Sequence, residues 1–320
     1  MKMQSDSRIF VAGHRGLVGS SLVRGLQRKG FTNLLTQTHA QLDLSDREAV
    51  AKYFQETKPE YVFLAAAKVG GILANDTLPA DFIRDNLDIQ NSVIEASYQA
   101  GVKRLLFLGS SCIYPKACPQ PIREEYLLTG PLEPTNRAYA LAKIAGIEMC
   151  WAYNRQYGTK YLAAMPSNLY GPGDNFDLQS SHVLPALIRK AHAAKKSGSE
   201  FVVWGSGKPE RELLYSDDLA DACLYLMSSE DALFDTLLKN DEPPLINIGA
   251  GSDVTIRELA DLVAKVVGFE GTMTFDASKP DGTPKKLMDS TRMRGLGWVP
   301  KVGLEDGIRS VYEMVKNELD

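Results

Sequence analysis

Tyr139 and Lys143 stand four residues apart in Ala138-Tyr139-Ala140-Leu141-Ala142-Lys143, a run of good helix formers. On a helix, positions i and i+4 share a face, one turn apart. A phenol beside an ammonium is a usable proton donor, and the positive charge is expected to lower the phenol's pKa. Alone the pair is weak, because the same spacing occurs on many surface helices. Here it lies downstream of a glycine-rich stretch with Gly13, Gly16 and Gly19, and of Ser110-Ser111-Cys112 after an apolar run. That combination reads as a site for hydride transfer.

Gly13-His14-Arg15-Gly16-Leu17-Val18-Gly19 follows the apolar run Ile9 to Ala12 and opens a helical pattern. Glycines there let the backbone turn tightly and approach a pyrophosphate on a helix N-terminus. The spacing is G-x-x-G-x-x-G, not the commoner G-x-G-x-x-G. A site for NAD usually places an acid at the end of the second strand, but this chain reads Thr36-Gln37-Thr38-His39. Arg15 offers a planar fork for a 2′-phosphate. Both features favour NADP, although Arg15 also fits an ordinary surface charge. Asp43 suits the adenine edge or, equally well, a cap before Ser45.

Ser110 follows a strand end, where open parallel sheets place ligands. Its hydroxyl reads as a partner for a substrate oxygen beside Tyr139, or as turn chemistry. Cys112 reads as a buried small residue or as a thiol of that site. His182 is one of only four histidines. Paired, a thiolate and an imidazole exchange protons at carbons alpha to a carbonyl.

The elements that must hold these groups alternate. Strands are expected at Ile9 to Ala12, Leu34-Leu35, Tyr61 to Ala65, Arg104 to Leu108 and Tyr161 to Met165. Helices are expected after Leu17, around Val50 to Phe54, over Phe82 to Gln99 and over Ala138 to Tyr157. This rhythm predicts an α/β fold, a Rossmann-type doubly wound parallel sheet covered on both faces. After Tyr170-Gly171-Pro172-Gly173 the elements shorten. We read residues 1–173 as the dinucleotide-binding domain, with returning segments around 212–250. Residues 174–320 read mainly as a smaller α/β substrate-binding domain.

The bulk properties narrow the partners. A chain of 320 residues with 44% apolar and 24% charged residues suits a globular protein of one large or two modest domains. Net charge is −4 without a long basic block, so no nucleic-acid partner is expected. No apolar run approaches a membrane span, and the first six residues do not read as a signal peptide. Cys112, Cys118, Cys150 and Cys223 show no C-x-x-C spacing. We expect free thiols, a cytoplasmic setting and no metal.

Taken together, the chain resembles the extended short-chain dehydrogenase/reductase family. Five blocks carry a closer likeness to the family members that make GDP-L-fucose: Ala65 to Ile72, Ser110 to Lys116, Asn168 to Pro172, Val203 to Gly207 and Asp276 to Pro284. They span the chain, and the first, second and last are specific. The resemblance implies that GDP-4-keto-6-deoxy-D-mannose is epimerised at C3 and C5, then reduced at C4 by NADPH. It implies Cys112 as base and His182 as acid in epimerisation. It further implies that Tyr139 protonates the C4 oxygen, that Lys143 holds the nicotinamide ribose and lowers the Tyr139 pKa, and that Ser110 is the supporting hydroxyl. The cofactor is expected along Gly13 to Gly19 (with His14, Leu17 and Val18), at His39, Asp43 and Leu44, and at Leu108, Gly109, Ser110 and Ser111. Further contacts are expected at Tyr139, Lys143, Pro166, Ser167, Asn168, Leu169 and His182. Lys190, Trp204, Arg211 and Asp281 match positions that hold the GDP-sugar, though Lys190 also fits a solvated lysine beside Arg189. A homodimer is implied as well. The chain departs from the family at His39, which replaces a basic residue and leaves the NADP preference resting more on Arg15.

Three rivals were weighed. A sugar-nucleotide dehydratase needs an Asp-Glu pair where this chain has Ser111 and Cys112, so it fails on chemistry. A nucleotide-sugar 4-epimerase or a reductase of the same family is compatible with the fold. A non-catalytic NADP sensor is expected to lose the Tyr/Lys pair or the serine, and this chain keeps both.

Overall fold

The computed structural model describes residues 2–178, 181–279 and 281–319. Strand β1 (Ile9–Ala12) leads through the glycine turn into α1 (Leu17–Arg28). Then come β2 (Leu34–Leu35), α2 (Arg47–Thr57), β3 (Tyr61–Leu64), α3 (Ile72–Thr77), α4 (Pro79–Gln99), β4 (Arg104–Leu108), α5 (Arg137–Tyr157) and β5 (Tyr161–Pro166). The second half runs β6 (Asn168–Tyr170), α6 (Val183–Ser197), β7 (Phe201–Trp204), β8 (Glu210–Tyr215), α7 (Ser216–Met227), α8 (Asp231–Asp235) and β9 (Leu245–Ile248). It ends β10 (Asp253–Thr255), α9 (Ile256–Val267), β11 (Met273–Asp276), β12 (Lys285–Lys286), α10 (Thr291–Gly295) and α11 (Leu304–Val315).

Six strands form one parallel sheet in the order β2-β1-β3-β4-β5-β9. Every residue of β1, β3, β4, β5 and β9 is buried. Strands apolar on both faces demand cover on both faces. Ile9 and Val11 pack on one side with Leu22, Leu26, Leu219 and Cys223 of α1 and α7. Phe10 and Ala12 point the other way, into a core with Phe54, Val93 and Ile147 of α2, α4 and α5. Each such Leu, Ile or Phe contributes roughly 1.5–3 kcal/mol by leaving water. The chain leaves β1 toward β2 on one side and returns to β3 on the other. That reversal opens a crevice at the strands' C-terminal ends, where ligands bind.

A second core joins α6, α9 and α11 to β7 and β8. Strand β7 pairs with β11, and β8 pairs with β6, β10 and β12. Helix α7 and strand β9 return to the larger body, and so do Met293 and Trp298, beyond the returning segments expected from sequence. We propose the two bodies as the two domains. Among the described residues, no helix is long and apolar enough to cross a membrane.

Candidate active site

The glycine turn is built by its neighbours. Gly13 has φ +81°, and a Cβ there would come within 2.8 Å of the Ala66 backbone. A Cβ on Gly19 would meet the Gly13 carbonyl oxygen at 2.0 Å, so α1 sits tight on the loop. Gly16 differs: its Cβ would meet nothing nearer than 3.5 Å. The protein does not itself require glycine there, whereas a close-lying pyrophosphate does. Arg15 is exposed and makes no ion pair among the described residues. The Ser167 hydroxyl, at the end of β5, is buried without a partner. These residues fit a dinucleotide carrying a 2′-phosphate. Leu108 ends β4 and Gly109 to Ser111 follow it, and Pro166 ends β5 with Ser167 to Leu169 after it, so these expected cofactor residues share one edge of the sheet.

His39 is largely exposed, with Nδ1 3.7 Å from Asp43 Oδ1. Asp43 is not the expected cap but holds a turn: Oδ1 accepts from the Ser45 N–H at 2.9 Å and hydroxyl at 2.7 Å. The cap of α2 is Asp46, whose carboxylate accepts from the Glu48 and Ala49 N–H groups. Leu44 packs against the core.

Tyr139 and Lys143 lie on one face of α5, with the Lys143 Nζ 5.8 Å from the Tyr139 ring centre. Lys143 is buried, donates to the Leu108 carbonyl at 2.8 Å and sits over the Phe107 ring. The expected lowering of the Tyr139 pKa is corrected here. Burial raises it, the nearby Cys112 adds to the rise, and only Ser110 opposes. Burial also lowers the Lys143 pKa to about 8. A phenol kept protonated is a donor in wait, which suits reduction of a ketone.

Cys112 lies in a 3-10 turn, its own N–H donating to the Ser110 hydroxyl, and it is 7% exposed. Burial pushes its thiol up, while Lys286, Ser110 and Lys143 pull it down. His182 precedes α6 and is open to the cleft. Its pKa is lowered, first by lost solvation and then by Lys286. The same ammonium therefore faces both groups. Lys286 was missed in the sequence, where it reads as half of a charged Lys285-Lys286 pair. In strand β12 the two alternate: Lys285 turns out to Glu210 and Asp253, and Lys286 turns in. Strand alternation was the signal that could have found it.

The smaller body supplies the outer wall. Lys190 stands 4.0 Å over the ring of Trp204, and Lys279, also missed, stands 5.5 Å away. Trp204 is 55% exposed, an open stacking face at the end of β7. Arg211 donates to the Thr283 carbonyl at 2.6 Å. Asp281 gives both oxygens to Ser206, at 2.6 and 2.8 Å. Its visible work is to hold the turn after Trp204. Lys143, Lys190, Arg211 and Lys286 thus gather cations from both bodies in an overall acidic chain. Among the described residues, no group of three His, Cys, Asp or Glu is placed to hold a metal.

Comparison with known proteins gives a consistent picture. The model of the NAD dependent epimerase/dehydratase family matches residues 9–249. GDP-L-fucose synthase 1 of Arabidopsis thaliana is 58% identical over 309 residues, covering 96% of this chain and 93% of the relative. Among solved structures, a GDP-6-OMe-4-keto-L-xylo-heptose reductase from C. jejuni is 42% identical with a TM-score of 0.93, covering 99% of this chain and 100% of that one. A GDP-L-fucose synthetase from Naegleria fowleri bound to NADP is 30% identical with a TM-score of 0.90, covering 99% and 95%.

Proposed function

The chain belongs to the NAD dependent epimerase/dehydratase family, among its GDP-L-fucose synthases, and from that premise we propose that it converts GDP-4-keto-6-deoxy-D-mannose to GDP-L-fucose in one site. The observation that carries the reading is that Ser110 bonds the Cys112 N–H and neighbours Tyr139, which sets the thiol beside the Ser110/Tyr139/Lys143 reduction group.

Residues 13–19, Lys143 and Ser167 would hold NADPH, with Arg15 on its 2′-phosphate. When bound, NADPH supplies the hydride that reduces the C4 ketone. Lys190, Arg211 and Lys286 offer positive charge to the pyrophosphate of the GDP-sugar, and Trp204 offers a face for stacking. The C4 carbonyl makes the C3 and C5 protons acidic because its oxygen accepts charge as an enolate. Tyr139 and Ser110 hydrogen-bond that oxygen. Cys112 takes the proton and His182 returns one to the opposite face. In the resting chain both are held neutral, and moving one proton from the thiol to the imidazole creates base and acid together. Lys286 favours the thiolate. In the last step Tyr139 gives its proton to the C4 oxygen.

A reductase without epimerase activity is the second reading, favoured by the likeness to the heptose reductase. It leaves Cys112 and His182 without work. We also place the protein in the cytoplasm as a homodimer. Four free cysteines suit a reducing compartment. The exposed Tyr98, Leu141 and Tyr157 on α4 and α5 give a dimer an apolar face.

The test is cofactor consumption. We expect one NADPH oxidised per GDP-L-fucose formed, with NADH a poor substitute. Arg15→Ala should erode that preference by about one to two powers of ten, since a charge-assisted hydrogen bond is worth roughly 1.5–3 kcal/mol. Product without NADPH oxidation would refute the reading.

A further inference from the structure

We propose that Tyr114 is a positioning residue for Cys112: its hydroxyl, bonded to Asn247, pins the turn that carries the thiol to the end of the main sheet. The proposal rests on the reading of Cys112 as the base.

Strand β9 reads Leu-Ile-Asn-Ile, and Asn247 in its middle is fully buried. A buried amide is costly unless it is bonded. Asn247 spends its groups on one loop. Its Oδ1 accepts from the Tyr114 hydroxyl at 2.6 Å, and its Nδ2 donates to the Ile122 carbonyl at 2.9 Å. As β9 is the sheet's edge, its outward N–H at 247 is free to donate to Glu124 Oε1 at 3.0 Å. One residue of the rigid sheet thus grips the chain at 114, 122 and 124. Tyr114 is only two residues beyond Cys112 and directly ends the 3-10 turn 111–113 that holds the thiol.

The same clamp reaches Lys286. Ile122 donates to the Leu287 carbonyl at 2.7 Å and accepts from the Asp289 N–H at 2.7 Å. Gln120 Oε1 accepts from the Leu287 N–H at 2.9 Å. The loop after Cys112 and the strand carrying Lys286 therefore move as one body. The Tyr139 and Lys143 of the reduction group are held elsewhere, by Lys143 on the Leu108 carbonyl and by Gln90 on the Ala142 carbonyl. A fault in the clamp should displace the thiol and spare the phenol.

The experiment compares the unmodified enzyme, Tyr114→Phe and Cys112→Ser on GDP-4-keto-6-deoxy-D-mannose and NADPH in deuterated water. It reads deuterium at C3 and C5, and the ratio of epimerised to unepimerised reduced product. Misplacing a reacting group by about 1 Å costs about 10²-fold. We expect Tyr114→Phe to lower exchange at least about tenfold, shift products toward the unepimerised alcohol and keep NADPH affinity within about twofold. A partly unfolded sample would lower all rates together and leave the product ratio unmoved. An unchanged ratio in Tyr114→Phe, with exchange lost in Cys112→Ser, overturns the clamp alone. Unmodified exchange in Cys112→Ser overturns the base assignment and the clamp with it.

Discussion

Tyr139 shows how burial outweighs a neighbouring charge. Its phenol is 5.8 Å, ring to ammonium, from Lys143, yet lost solvation dominates and keeps the proton on. For an enzyme working toward reduction, the proton must be present before the hydride arrives. Tyr139→Phe should therefore lower kcat for ketone reduction about 10²- to 10⁴-fold, the usual worth of a general acid. NADPH affinity, measured by fluorescence titration, should change little; a kcat loss under about tenfold would remove the assignment. At this scale the sequence was informative about types and partly silent about state. The spacing of Tyr139 and Lys143 placed them on one helix face, as found. It could not reveal that Lys143 is buried and Tyr139 half-buried, because burial depends on α4 packing across α5. Lys286 was hidden for a related reason: in a two-residue strand the alternation is too short to stand out from a charged pair.

At the scale of elements, the glycine turn separates two demands that a motif conflates. Gly19 serves the fold, because a side chain there would strike the Gly13 carbonyl at 2.0 Å. Gly16 serves the ligand, with φ −75° and only an ordinary 3.5 Å contact to the Gly13 carbonyl oxygen for an added Cβ. Gly19→Ala should lower the thermal midpoint clearly, an overpacked site typically costing about 1–3 kcal/mol. Gly16→Ala should keep the midpoint and raise KM for NADPH. Equal loss of stability in both would contradict the division. The main strands and helices were legible because apolar runs of four to six residues alternate with helical spacing. The caps were less so: Asp43 and Asp46 lie three apart, and only the backbone geometry shows that Asp46 caps α2.

Across the whole molecule, the two bodies meet at Glu212. This buried carboxylate of β8 accepts from the Gly251 N–H at 2.6 Å, after β9, and from the Met288 N–H at 2.9 Å, after β12. Burial raises its pKa from 4.5 to about 7. A folded-state pKa above the unfolded one means stability present below about pH 4.5 and lost as pH rises through about 7. Denaturant unfolding should show that decline between about pH 4.5 and 7, and Glu212→Gln should flatten it; an unchanged slope in the variant would place the titration elsewhere. Such long-range meetings were the least legible part, since Glu212, Gly251 and Met288 are far apart in sequence. Net charge was equally uninformative about local charge: the Lys286 pKa, lowered first by burial, is lowered further by nearby Arg211 within a chain of charge −4.

The central claim is that one cleft performs two reactions with two sets of groups, and solvent deuterium tests it most directly. The unmodified enzyme, given GDP-4-keto-6-deoxy-D-mannose and NADPH in deuterated water, should place deuterium at both C3 and C5 of the product. Cys112→Ser replaces a thiol of ordinary pKa about 8.5 by a far weaker acid of similar shape. It should bind NADPH normally, incorporate deuterium very slowly, and retain reduction of the unepimerised ketone. Product from the unmodified enzyme carrying no deuterium at C3 and C5, or full exchange in Cys112→Ser, would contradict the account.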